Sequence, residues 1–82
     1  MAKTFHLTIA RIGENVFDGE VVSLAVPGVE GDCVLLAHHE PFVSELREGS
    51  LHFVDAEGKR HQVPVSRGGI VEASFNQSTV LL

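Results

Sequence analysis

The sequence predicts an all-β fold, a small antiparallel two-sheet β-sandwich of roughly nine or ten short strands. Three observations predict it. Apolar residues alternate with polar ones along much of the chain, Gly, Pro and Asn recur at short intervals between the apolar runs, and no stretch holds helical spacing beyond a turn or two. At 82 residues the chain reads as a single domain over positions 1–82. A domain this small buries only about 60–65% of the surface its unfolded chain exposes, so its stability margin is thin.

In order along the chain, Phe5, Leu7 and Ile9 alternate with His6, Thr8 and Ala10, which marks a half-buried strand. Gly13 and Gly19 punctuate the stretch that follows. Val22, Leu24 and Val26 then fall on one face of a second run, with Val21, Ser23 and Ala25 on the other. Pro27-Gly28 and Gly31 bound a turn, in which Gly28 and Gly31 are expected to set backbone angles that a Cβ resists. Cys33-Val34-Leu35-Leu36 is an apolar run, and Cys33 in it reads as a small buried hydrophobe. Pro41 to Glu48 is the best helical candidate, since Phe42, Glu45 and Leu46 have some helical spacing and Pro41 suits a first turn. Gly49 ends it within a turn or two. Leu51 and Phe53 alternate, as do Val63 and Val65. Asp55-Ala56-Glu57-Gly58 between them reads as a hairpin loop, with Gly58 supplying the positive φ. Gly68-Gly69 and Asn76 mark the last turns.

The chain carries a formal net charge of -5, from 6 basic and 11 acidic residues. An acidic surface repels phosphate backbones and anionic lipid, which disfavours nucleic acid and direct membrane binding. No apolar run approaches the roughly 20 residues that cross a bilayer. Met1-Ala2-Lys3-Thr4 opens straight into the alternating pattern without the apolar core of a signal peptide. Cys33 is the only cysteine, so an intrachain disulfide is excluded.

No constellation points to catalysis or to a cofactor. His38 and His39 are adjacent, and neighbouring side chains of a strand point to opposite faces, so they do not converge on one metal. Cys33 with either histidine is the one nucleophile–base pairing available, and its apolar setting argues against a reactive thiol. No serine has glycines two residues away on both sides, as a nucleophile elbow requires. Gly28, Gly31, Gly68 and Gly69 lack the following Lys-Ser or Lys-Thr of a phosphate loop. Asn76-Gln77-Ser78 matches the glycosylation sequon, yet nothing in the sequence points to a secretory route.

Taken together, the turn residues carry a resemblance. Phe17-Asp18-Gly19, then Val26-Pro27-Gly28-Val29-Glu30-Gly31, then His39-Glu40-Pro41 with Leu46 and Gly49, then Gly68-Gly69-Ile70-Val71-Glu72, and finally Asn76 before Thr79-Val80-Leu81 follow one another in register. In order and spacing they resemble the β-sandwich domain of the F-type ATP synthase epsilon subunit, over nearly the whole chain. Cys33-Val34 and Ala37-His38-His39 depart from the family's usual residues, and Arg67 stands as an extra residue before the paired glycines. Typical members continue into a two-helix hairpin, so the resemblance is to a short form without it.

The resemblance implies a non-catalytic central-stalk subunit, needing no cofactor, that links the gamma subunit to the c-ring of a proton-translocating synthase. It would sit peripherally on the cytoplasmic face of the bacterial inner membrane, held there only through the complex. Gly28, Val29, Glu30, Gly31 and Asp32 match the family's c-ring-facing turn, and His39 falls in a segment near the gamma contact. Two other readings stay open: a stand-alone β-sandwich interaction module, and a small thiol- or metal-dependent enzyme built on Cys33 and the histidines.

Overall fold

The computed structural model describes residues 3–82, so the Met1-Ala2 opening lies outside the described residues. The chain is all strand: β1 (Phe5–Arg11), β2 (Glu14–Gly28), β3 (Gly31–Leu36), β4 (Phe42–Leu46), β5 (Gly49–Asp55), β6 (Arg60–Val65), β7 (Gly69–Ser74) and β8 (Gln77–Leu81). The all-β class holds. Among the described residues the strands number eight rather than nine or ten, because β2 runs unbroken for 15 residues. Gly19 does not interrupt it. A Cβ there would come within 3.3 Å of the Phe17 ring, so the glycine makes room for an aromatic side chain inside the strand.

β2 serves two sets of partners. Its first half pairs with β1, its second half with β3 and β5, and Gly28 at its end meets Leu46 of β4. Hydrogen bonds run β1–β8–β7–β4–β2 and return to β1, while β5–β6 and β3 branch from β2. One pair departs from the antiparallel expectation. β1 and β8 run parallel, since the first and last strands share no hairpin that would dictate their direction. A single cluster drawn from all eight strands fills the interior, including Leu7, Ile9, Leu24, Leu35, Leu46, Leu51, Val65, Val71 and Val80.

The expected phase of β2 is corrected at Val22. Val21 pairs with Asp55 and Ser23 with Val54, which leaves Val22 as the extra residue of a bulge. The alternation slips there, so Val21, Leu24 and Val26 are buried and Val22 is only half-buried. Val63 is also half-buried, on β6, which pairs only with β5 and carries Pro64, whose missing N–H an outer strand tolerates.

The helical candidate at Pro41–Glu48 is a strand. β4 pairs along its length with β7, from Phe42 opposite Ala73 to Leu46 opposite Gly69. Phe42 and Leu46 are four apart, a spacing that satisfies one face of a helix and one face of a strand equally. The pairing partner decides.

Turn chemistry follows the sequence closely at β5–β6. Gly58 has φ 86°, and the Asp55 carboxylate accepts from the N–H groups of Glu57 and Lys59, both at 2.9 Å. His61 Nε2–H donates to the other Asp55 oxygen at 2.8 Å, while its ring stacks on Phe53 with centroids 4.7 Å apart. The bond from His61, then the Lys59 amide, hold Asp55 below the ordinary carboxylate value. At β7–β8 the two-residue turn Phe75-Asn76 has positive φ at both positions, 49° and 58°, the geometry that matches the twist of a hairpin.

Two outcomes are expected. Leu24→Ala should destabilise the domain by about 2–5 kcal/mol in urea denaturation, whereas Ile12→Ala, at a fully exposed tip, should change it by less than about 0.5 kcal/mol. Asp55→Asn should be less stable than the parent above the ordinary carboxylate range. Because the folded value is depressed, that difference should fade as pH falls through it, as melting temperatures across an acid series would record.

Candidate docking site

The turn between β2 and β3 is a two-residue hairpin, with Gly28 paired to Gly31 across Val29-Glu30. The two glycines are required for different reasons. Gly31 has φ 138°, outside the range an L side chain readily takes. Gly28 has no positive φ; a Cβ there would sit 2.7 Å from the Gly31 carbonyl oxygen and 3.4 Å from Ser44 Oγ. It is a close-approach glycine rather than one that sets a positive φ, and it is buried. Val29, Glu30, Gly31 and Asp32 are exposed.

The turn is braced from one side by β4. Val29 N–H donates to the Glu45 carbonyl at 3.0 Å, and Arg47 N–H donates to the Pro27 carbonyl at 2.8 Å. Asp32 forms an ion pair with Arg47. The acidic residues of the turn therefore have unequal roles. Asp32 is engaged within the chain, and Glu30 makes no ion pair among the described residues, leaving its carboxylate turned to solvent. Beside the turn, Pro27, Asp32, Arg47, Gly49 and His52 line an open groove of about 230 Å³.

His39 lies at the other end of β3, in the β3–β4 connection. The fold does not bring it to the turn: six residues of extended strand, roughly 20 Å, separate them. Its backbone N–H donates to Leu36 at 3.2 Å, its Nδ1–H donates to the Glu40 carbonyl at 2.7 Å, and its ring meets the edge of Phe42. His38 takes φ 61°, and its N–H donates to Asn76 Oδ1 at 2.6 Å. Asn76 in turn donates Nδ2–H to the Thr4 carbonyl at 3.0 Å. One asparagine thus fixes the His38-His39 segment to the N-terminal strand. Among the described residues, no three His, Cys, Asp or Glu side chains gather as metal ligands.

The sequence misses an apolar strip. In the apolar run Cys33–Leu36 burial alternates: Leu35 is buried, Cys33 is half-buried rather than buried, and Val34 and Leu36 are 58% and 55% exposed. Among the described residues β3 pairs with β2 alone, which leaves its other edge unpaired, and the face that carries Val34 and Leu36 is open to water. Val34 stands opposite Ala25, and Leu36 opposite Ser23, which continues across to Val54 of β5. A second strip, Ile70 opposite Leu81, lies on β7 and β8. Val34, Leu36, Ile70 and Leu81 are thus large apolar side chains left partly in water. The signal available in the sequence was the run's lack of polar alternation, which a strand buried on both faces shares.

Gly28→Ala should cost about 1–3 kcal/mol through its clash with the Gly31 carbonyl, and Glu30→Ala less than about 0.5 kcal/mol in the same denaturation assay.

Comparison with known proteins adds the following. Residues 4–82 match the family described as ATP synthase, Delta/Epsilon chain, beta-sandwich domain. An ATP synthase epsilon chain of Nitratidesulfovibrio vulgaris is 43% identical over 81 residues, covering 99% of this chain and 59% of that one. The epsilon chain of Afipia carboxidovorans is 40% identical over 78 residues, covering 95% and 56%. The chain thus spans less than two thirds of the length of these relatives. Among solved structures, a chain in the Euglena gracilis mitochondrial ATP synthase superposes with a TM-score of 0.88 at 26% identity, over 95% of this chain and 49% of that one. A chain of the Tetrahymena thermophila mitochondrial ATP synthase central stalk and c-ring matches with a TM-score of 0.75 at 15% identity, a likeness of fold alone, over 98% of this chain and 63% of that one.

Proposed function

This chain belongs to the ATP synthase delta/epsilon β-sandwich family, and from that premise we propose that it acts as a non-catalytic rotor element. In this reading residues 1–82 form a single epsilon-like domain of the central stalk, which joins the gamma subunit to the c-ring of a proton-translocating synthase. It sits at the cytoplasmic face of the bacterial inner membrane through the complex alone. The observation that carries the reading is the match to epsilon chains along nearly the whole sequence, from residue 4 to residue 82. The likeness to a chain within a solved ATP synthase, at a TM-score of 0.88, supports it.

The physics of the domain suits the role. A rotor element has to pass torque without deforming, and a circuit of hydrogen-bonded strands around one packed core resists shear. The β2–β3 turn is a suitable ring-facing surface because β4 braces it and Glu30 presents a free carboxylate. The strand β3 between the turn and His39 would hold the ring-facing and gamma-facing contacts at a fixed spacing. Charge at such an exposed position steers and orients docking more than it adds affinity.

Glu30→Lys should leave the isolated domain folded and weaken its incorporation, or the coupling of hydrolysis to proton pumping, by about two- to five-fold, the scale of one exposed ion pair. ATP-driven pumping and ATP hydrolysis measured in the same reconstituted vesicles would report it. Unchanged pumping with the variant subunit in the complex removes the turn from the ring contact. Asp32→Lys loses the pairing to Arg47 as well, so it should also lower the stability of the isolated domain.

A further inference from the structure

His6 lies on the solvent-facing side of β1, directly opposite Glu20 of β2, and Thr8 stands opposite Asp18. Its ring spans the two carboxylates. Nδ1 lies 3.1 Å from Glu20 Oε2, and Nε2 is in hydrogen-bond contact with Asp18 Oδ1. Thr4 Oγ1 donates to Glu20 Oε1 at 2.9 Å and Thr8 Oγ1 to Asp18 Oδ1 at 3.3 Å, which helps to fix each carboxylate.

A neutral imidazole has one N–H and one lone pair, so it can donate to one carboxylate and must turn its lone pair on the other. Only the imidazolium satisfies both contacts. We infer that His6, Asp18 and Glu20 form a proton-operated latch between β1 and β2, closed by the imidazolium and released when His6 loses its proton. Release leaves two carboxylates on neighbouring same-face positions of β2 with no cation between them.

Among the described residues, the neighbouring strands supply no substitute. On the other side of β1, β8 presents Gln77 opposite His6 and Thr79 opposite Thr8, both uncharged. Glu72 of β7 lies one strand further on and accepts from Ser74 Oγ at 2.8 Å. The inward side of β1 carries Phe5, Leu7 and Ile9. Hydrogen bonds to Asp18 first, then to Glu20, hold His6 above the ordinary histidine value. With the folded value raised, the latch's contribution is complete below the ordinary value and is lost as pH rises through the raised one. The ring is about half exposed, so the effect is modest and weakens with salt. The latch is independent of the rotor reading, since it concerns the chain alone.

The test is amide hydrogen exchange of the 82-residue chain at low salt between pH 6 and pH 8.5, corrected for the intrinsic pH dependence of exchange. Protection of the amides that β1 and β2 exchange should fall about two- to five-fold over this range, relative to amides of the β4–β7 pair, which carries no histidine, the scale of one exposed ion pair. In His6→Gln, which cannot take up a proton, and in Asp18→Asn/Glu20→Gln the relative protection should stay flat. Nuclear magnetic resonance titration of the His6 ring should show an elevated midpoint in the parent that drops in the double variant. A parent with flat relative protection, a His6→Gln variant with the parent's pH dependence, or a ring midpoint unmoved by loss of both carboxylates would each overturn the latch.

Discussion

Strand β2 hydrogen-bonds to β1, β3, β4 and β5, and the bulge at Val22 is what allows one strand to do so. A regular strand of 15 residues has one fixed alternation and would present one face throughout. The extra residue at Val22 advances that alternation by one, so Phe17 and Gly19 follow the phase of β1 while Leu24 and Val26 follow that of β3 and β5. The bend and added twist that accompany a bulge carry β2 from one group of strands to the other. β1 and β8 close the circuit on one side, and Gly28 against Leu46 closes it on the other.

The same strand delivers the candidate docking turn. Because β2 ends where β4 ends, the turn's N–H and C=O groups find partners on Glu45 and Arg47 rather than in water. A hairpin tip held by its own two strands frays, whereas one tied to a third strand opens only when that strand also gives way. The buried Gly28 is the consequence, since the close approach of β2 to the Gly31 carbonyl leaves no space for a side chain. The Asp32–Arg47 pair adds a charged contact from the same direction. What remains outward is a short, fixed surface from Val29 to Asp32, on which Glu30 is the acidic residue without an ion pair among the described residues.

The open apolar strips on β3 and on β7–β8 belong with the size of the domain. So short a chain cannot cover both faces of all its strands, and Val34, Leu36, Ile70 and Leu81 stay partly in water. Partners that cover such strips would add stability by binding the folded state alone. Under the proposed rotor role, the neighbouring subunits would be those partners.

The sequence by itself determined the all-β class, most of the turns and the family. These are written in local terms: alternation at Phe5–Ile9 and Leu51–Phe53, a glycine at the positive φ of the β5–β6 hairpin, and turn residues at family spacing. It could not determine which face of Val21 and Val22 turns inward, because that depends on a bulge set by the register against β5, far along the chain. Nor could it separate strand from helix at Phe42–Leu46, since a spacing of four fits both and only the ladder with β7 chooses. The unequal roles of Asp32 and Glu30, and the place of His6 between two carboxylates, arise from side chains that meet across strands. Sequence proximity carries no record of such meetings. Tertiary structure decided them because register, not residue type, sets which groups on adjacent strands stand opposite one another.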